Sequence, residues 1–223
     1  MNKGRLIVLE GIDGSGKSAN YRRLCAKLEA EGIKFKQIVF PRYQNESSAL
    51  IRKYLNGDFG SNPDDVNAYT ASSFYAVDRY ASYREDWGSF YENGGLILSD
   101  RYTTSNAVHQ GSKLKKEELP AFLDWLADFE YKKMQLPEPD LVIYLDVDIE
   151  ISAARMRRRE ARTNTHADIH EKDKEYLRRC LSTADFAADF YHWQRIPYMK
   201  DGKERSLDEK NEEIFKLVKG MLQ

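Results

Sequence analysis

Short apolar runs alternate with helix-length stretches along this chain, and no other feature restricts its fold as much. Leu6 to Leu9, Phe35 to Phe40, Leu96 to Leu98 and Leu141 to Leu145 read as strands buried on both faces, with Arg195 to Met199 as a weaker fifth. After the first strand, Tyr21, Leu24, Cys25 and Leu28 share one helical face that ends near Gly32. The Asn62-Pro63-Asp64 start signal predicts another helix, and a third covers Glu117 to Met134, closed by Pro137 and Pro139. Strand and helix in this alternation predict a mostly parallel sheet with right-handed crossovers, flanked by helices. At 223 residues, one domain accommodates it.

The charge balance removes several function classes. Lys and Arg number 35 against 36 Asp and Glu, a formal net charge of −1, so no global field draws the chain to nucleic acid or to a membrane surface. Any anion site must be local. Residues are 41% apolar and 12% aromatic, which excludes a disordered chain, and no apolar run approaches the roughly 20 residues of a bilayer helix. The start "MNKGRLIVLEG" lacks the apolar length and cleavage site of a signal peptide. Cys25 and Cys180 have no metal-like spacing and read as buried free thiols, with the cytoplasm as the default compartment.

One loop carries the chemistry. "GIDGSGKS", Gly11 to Ser18, fits G-x-x-x-x-G-K-[ST] between a buried strand and a helix. In that setting the backbone amides of Gly14, Ser15, Gly16 and Lys17 cradle a β-phosphate at a helix N-terminus. Lys17 is expected to reach the β- and γ-phosphates, and the Ser18 hydroxyl to ligate Mg²⁺. Asp13 is the odd member, since a carboxylate beside a triphosphate is repelled by on the order of 1 kcal/mol or more. Either it faces a hydroxyl or cation of a second substrate, or it caps the loop backbone as a turn residue.

Further groups lie at strand ends, where open α/β sheets hold ligands. Arg42 and Tyr43 in "FPRYQ" have the chemistry to hold a phosphate, or they are surface residues. Asp100 and Arg101 close "LILSDR" and read as a metal carboxylate beside a phosphate arginine, or as a local ion pair. Asp146 competes for the metal role but precedes a helix that it would cap. In "AARMRRREART", Arg155, Arg157, Arg158, Arg159 and Arg162 sample nearly every face of a helix, as a phosphate-covering lid or a solvated basic helix would. His166 and His170 lack a third metal ligand and read as solvated.

"GIDGSGKS", "FPRY", "FYAVDRY" and "DRYTTSNAVHQG", in this order and at these separations, resemble bacterial thymidylate kinase, a P-loop nucleoside monophosphate kinase, over nearly the whole chain. The resemblance implies an α/β fold of the P-loop NTPase type. Its five-stranded parallel sheet is flanked by helices, with a mobile Arg-rich lid at about residues 153–172 of a single 1–223 domain. It implies phosphorylation of dTMP to dTDP by MgATP, within dTTP synthesis, by a cytoplasmic homodimer whose partners are nucleotides rather than nucleic acid or membrane. Gly11, Gly14, Ser15, Gly16, Lys17 and Ser18 then bind ATP, and Ser18 and Asp100 serve the metal.

The same resemblance implies an acceptor site. Asp13 contacts the sugar 3′-hydroxyl and orients the phosphate-binding arginine, so that the loop acid serves the acceptor rather than the donor. Arg42, Tyr43 and Arg101 hold the acceptor phosphate, and Ser105 joins this set. Tyr75 stacks on thymine, worth about 1–3 kcal/mol; without the resemblance Phe74 and Tyr75 read as core aromatics. Arg79 donates to thymine O4 and Asn106 meets N3, although beside Asp78 the arginine also reads as half of a solvated helix pair. His109 stands where the family often has Tyr against the sugar C2′. Gly14 stands where some members carry an arginine, so the charge on the transferred group falls to the lid, with Arg158 and Arg162 as candidates beside Asp13, Lys17 and Arg101. After Lys17 and Ser18 the chain reads Ala19-Asn20, where the family often has a second hydroxyl and Gln.

Rival classes have their own signatures. A GTP-dependent switch needs an Asn/Thr-Lys-x-Asp string late in the chain, and none is present. A nucleic-acid module on the arginine helix predicts salt-dependent retention on single-stranded DNA. The alternatives within the class are a deoxynucleoside kinase, which needs a base for the 5′-hydroxyl and fewer acceptor arginines, or another nucleoside monophosphate kinase.

Overall fold

The computed structural model describes residues 3–163 and 174–222, with the side chains of 157–163 and 174 outside that set. Five parallel strands, β1 (Arg5–Glu10), β2 (Phe35–Val39), β3 (Leu96–Asp100), β4 (Leu141–Asp146) and β5 (Gln194–Pro197), form one sheet in the order β2-β3-β1-β4-β5. Alternate residues feed opposite layers. Leu6 and Val8 pack with Phe122, Leu126 and Tyr176 on one face, and Ile7 and Leu9 with Leu24, Leu28, Ile214 and Val218 on the other. Each such side chain stabilises the fold by roughly 1.5–3 kcal/mol, which is why the strands are apolar throughout rather than alternating.

The helices pack on these faces and around a smaller third cluster of Ile51, Tyr54, Leu55, Val66 and Ala71. They are α1 (Lys17–Ala30), α2 (Ala49–Asn56), α3 (Ala68–Ser82), α4 (Gly88–Glu92), α5 (Thr103–His109), α6 (Leu119–Ala127), α7 (Ile149–Thr163), α8 (Lys174–Phe190) and α9 (Leu207–Leu222). Cys25 and Cys180 are free and buried as expected. No helix among the described residues is long and apolar enough to cross a membrane.

Register positions the site. Leu9 and Val39 both pair with Asp100, so the carboxyl ends of β1, β2 and β3 finish level, and the loops that follow them converge on one edge. Two expected helices differ from the sequence reading. The Asn62-Pro63 signal starts only a 3₁₀ turn, Pro63–Asp65, because extended, buried Val66 interrupts it; α3 then starts anew at Asn67, whose side chain accepts from the Thr70 amide at 2.9 Å. The helix expected over 117–134 is α6 followed by a π-helical turn, Asp128–Lys133, whose wider winding faces Glu130 inward with no exposure. The weak fifth strand ends at Pro197, and Met199 enters a short hairpin of β6 (Met199–Lys200) and β7 (Lys203–Glu204).

Candidate active site

The glycine-rich loop has the backbone its sequence requires. Gly14 and Gly16 sit at φ 79° and 88°, and Gly16 leads directly into α1. A Cβ on Gly14 would lie 2.5 Å from the Ser152 carbonyl oxygen, so α7 fills the place that an arginine at position 14 would need. Its first turns also grip the loop: Ser152 Oγ donates to the Asp13 carbonyl, and Arg155 Nη1 donates to the Gly14 and Ser15 carbonyls, each at 3.3 Å. Arg155 further stacks on Tyr198 at 4.9 Å and pairs with Glu204 at 3.4 Å. Gly14→Ala is expected to cost about 1–3 kcal/mol from positive φ and the Ser152 contact, a fall in Tm of roughly 3–10 °C. Calorimetry checks this, and an unchanged Tm would mean that α7 yields.

Two buried carboxylates frame the cations beside the loop. Lys17 Nζ pairs with Asp100 Oδ1 at the end of β3. Burial, then the charge of Arg101, lowers the Lys17 pKa, and Asp100 opposes both. Glu10, at the end of β1, has no exposure; it accepts from the Gly11 amide at 2.8 Å, Thr104 Oγ1 at 2.6 Å and Ser105 Oγ at 2.7 Å. Arg101 lies between the two acids of the loop region, 2.9 Å from Asp13 and 3.5 Å from Glu10. Burial alone would lower its pKa, but Asp13, Glu10 and Asp100 outweigh that and raise it. Its backbone is left-handed at φ 68°, a conformation that costs a non-glycine residue about 1 kcal/mol or more.

His109 completes the ring around Arg101. Burial, then the nearby Arg101 charge, pushes its pKa down to about 4, so the neutral imidazole accepts from Arg101 Nη1 through Nε2 at 3.0 Å. The Nδ1 proton then faces Cys180 Sγ at 3.6 Å. Because the folded-state pKa lies below the ordinary 6.5, the unfolded chain binds more protons between pH 4 and 6.5. Stability is therefore expected to fall as pH drops through that window, by on the order of 3 kcal/mol. His109→Gln should flatten this acid limb in Tm measured from pH 7.5 to 4.5; an equal fall in both proteins removes His109 as its cause.

Next to Arg101 a cavity of about 220 Å³ opens between α3 and α5, lined by Asp13, Tyr43, Tyr75, Arg79, Ser105, Asn106, His109 and Gln110 among others. All of its lining residues except Pro41 and Leu55 thus carry polar or aromatic chemistry suited to one nucleotide. Arg79 is not a solvated helix residue. It is 1% exposed, and its Nε and Nη2 each donate to Glu130 at 2.6 Å, while Nη1 donates to the Tyr102 carbonyl at 3.3 Å. Burial would lower its pKa, but Glu130 reverses the sign. Asn106 Nδ2 donates to the Ser72 carbonyl and to Glu130, both at 3.1 Å. Gln110 Oε1 is buried without a hydrogen-bond partner. A larger cavity, about 400 Å³ on the far side of α5, has no Lys or Arg in its wall and does not suit a phosphate.

The remaining expected residues lie elsewhere. Arg42 does not line the cavity: Asp78, a carboxylate with no exposure on α3, takes its amide at 2.8 Å and its Nε at 3.2 Å, and Ser47 and Glu85 take the guanidinium tips at 2.9 and 3.3 Å. A buried charge demands that compensation. The side chains of Arg158 and Arg162, and residues His166 and His170, lie outside the described residues. Asp146 faces Arg195 at 3.9 Å, and burial followed by Asp185 raises its pKa. Asn20 has a structural role in the altered "SAN" segment: its Nδ2 donates to the Gly16 carbonyl at 3.1 Å and its own carbonyl accepts from Asn211 at 2.9 Å, tying α1 to α9. Ser18 is exposed on the first turn of α1. Sequence reasoning missed Glu10, Gln110 and Glu130; a charge closing an all-apolar strand was the one available signal, and it pointed to Glu10.

Comparison with known proteins agrees with this geometry. The family model for thymidylate kinase matches residues 9–198. A Mycobacterium tuberculosis thymidylate kinase is 29% identical over 176 residues, 78% of this chain and 81% of that one. A Prochlorococcus marinus thymidylate kinase is 28% identical over 222 residues, 97% and 99% of the two chains. The solved structure of Candida albicans thymidylate kinase has the same fold, with a TM-score of 0.71 at 20% identity over 98% of this chain and 92% of that one. With the family model spanning most of its length and the loop, strand order and cavity in place, the chain belongs to the thymidylate kinase family.

Proposed function

We propose that this protein transfers the γ-phosphoryl group of ATP to the phosphate of dTMP. The observation that carries this is Arg101, held by Asp13 of the donor loop on one side and bordering the acceptor cavity on the other. A cation there sits between two phosphate sites, and the loop acid aims it. The acceptor oxygen is already anionic, so transfer needs positioning and charge neutralisation, and no general base. Glu10 supports this, because its oxygens are taken by Gly11, Thr104 and Ser105. Lys17 and the loop amides bind the donor, and Tyr75 faces the acceptor base.

Mg²⁺ fits the residues present. The exposed Ser18 hydroxyl and the Asp100 oxygen not taken by Lys17 would hold it through one direct ligand and bound water, and it would neutralise phosphate charge. Arg42 is read as a second phosphate arginine that must exchange Glu85 or Ser47 for the acceptor. The lid arginines Arg158 and Arg162 are read as covering the transferred group and excluding water. A homodimer suits the exposed Tyr69, Val77 and Tyr80 on α3, and the cytoplasm suits the nucleotide substrates.

A coupled assay for ADP release with MgATP and dTMP, dUMP, dCMP, dGMP, UMP or thymidine tests the reading. Preferred turnover of dTMP supports it. Turnover of thymidine but not dTMP would reassign the chain to nucleoside phosphorylation.

A further inference from the structure

We infer that Glu130 is a positioning residue that fixes the donor and acceptor pattern by which the base is read. This rests on the reading of Arg79 and Asn106 as the side chains that meet the base edge.

Glu130 does not line the cavity, yet it holds both base-facing residues at once. Its carboxylate accepts two hydrogen bonds from Arg79 at 2.6 Å, one from Asn106 at 3.1 Å and one from Thr103 Oγ1 at 2.8 Å. An ionised carboxylate can only accept. The consequence for Asn106 is an oriented amide. Both Nδ2 hydrogens are committed, to Glu130 and to the Ser72 carbonyl, so Oδ1 is the atom left to meet a ligand. The wall therefore offers an acceptor, as does Gln110 Oε1.

For Arg79 the consequence is a fixed fork. Nε and one hydrogen of Nη2 go to Glu130 and one hydrogen of Nη1 goes to the Tyr102 carbonyl, which leaves one N–H on each terminal nitrogen. These can only donate. A base edge with a carbonyl beside an N–H, as in thymine, matches a donor beside an acceptor. Cytosine presents an amine beside a bare nitrogen, the reverse pattern. Glu130 also cancels the charge of a fully buried arginine, so the floor of the cavity suits a neutral ring rather than an anion.

A purely structural Glu130 makes a different prediction, and Glu130→Gln separates the two. The amide has the same shape but can donate as well as accept, so Asn106 is free to turn over. In the folded variant the ratio of kcat/KM for dTMP over dCMP is expected to fall at least tenfold, mostly through KM for dTMP. Thr103→Val serves as the comparison: it removes one bond to Glu130 and lowers Tm, with the ratio unchanged. If Glu130→Gln does not fold, Glu130→Asp takes its place: it still only accepts but is one methylene shorter and cannot reach Arg79 and Asn106 together, so its ratio is also expected to fall at least tenfold.

A folded Glu130→Gln or Glu130→Asp enzyme that keeps the wild-type ratio overturns the role of Glu130 alone. Wild-type enzyme with no preference for dTMP over dCMP overturns the reading of the site, and this inference with it.

Discussion

Arg101→Ala is expected to lower kcat by about 10³-fold or more, the scale on which an arginine acts on a transferring phosphoryl group. The structure makes this arginine hard to replace. Asp13, Glu10, Ser105 and His109 all engage it, so its guanidinium is preorganised before any phosphate arrives. Removing it also takes the cation from between Asp13 and Glu10, which adds a loss of stability. Lysine at 101 should rescue little, because one ammonium cannot span Asp13 and His109 at the same time. Single-turnover measurements separate the terms: a fall confined to KM for dTMP would reduce Arg101 to an acceptor clamp.

Lys17→Ala should be comparably severe, with kcat reduced about 10²- to 10³-fold. In the structure Lys17 is nearly buried and pairs with Asp100, and burial together with Arg101 lowers its pKa. A bound triphosphate would favour the charged form again, so the donor itself keeps its lysine protonated. The alanine variant leaves Asp100 beside an empty space, and a carboxylate there repels ATP. Lys17→Ala with Asp100→Asn should therefore bind ATP more tightly than Lys17→Ala alone without regaining kcat. Equal ATP affinity in the two variants, by calorimetry, would refute that electrostatic account.

What the sequence revealed of this site follows the range of its interactions. The loop from Gly11 to Ser18 was legible because its signals, glycines at positive φ and a following helix, act over a few residues. Asp13 was legible as a residue out of place in a phosphate loop, and the resemblance directed it to an arginine that lies 2.9 Å away in space and 88 positions on. Glu130 was not legible. Its partners come from α3 and α5, and its inward direction depends on a π-helical turn that no local pattern announced. For Arg42 only half of the setting was legible, since its motif suggested a phosphate while the buried Asp78 that holds its amide and guanidinium comes from α3, 36 positions on. The start of α3 slipped because Asn62-Pro63 is as good a cap by itself as Asn67 is; only the burial of Val66 chose between them.

The close seating of α7 on the glycine loop has an evolutionary consequence. Gly14 faces the Ser152 carbonyl oxygen, which an added Cβ would meet at 2.5 Å, so position 14 is closed to any side chain while α7 keeps this seat. No single substitution there can add a side chain unless α7 moves as well. A lineage that gained one would first have to loosen Ser152 and Arg155, and with them the hold of α7 on the loop. A side chain gained on the loop begins as a grip lost on α7, so such a change takes two coordinated steps rather than one mutation.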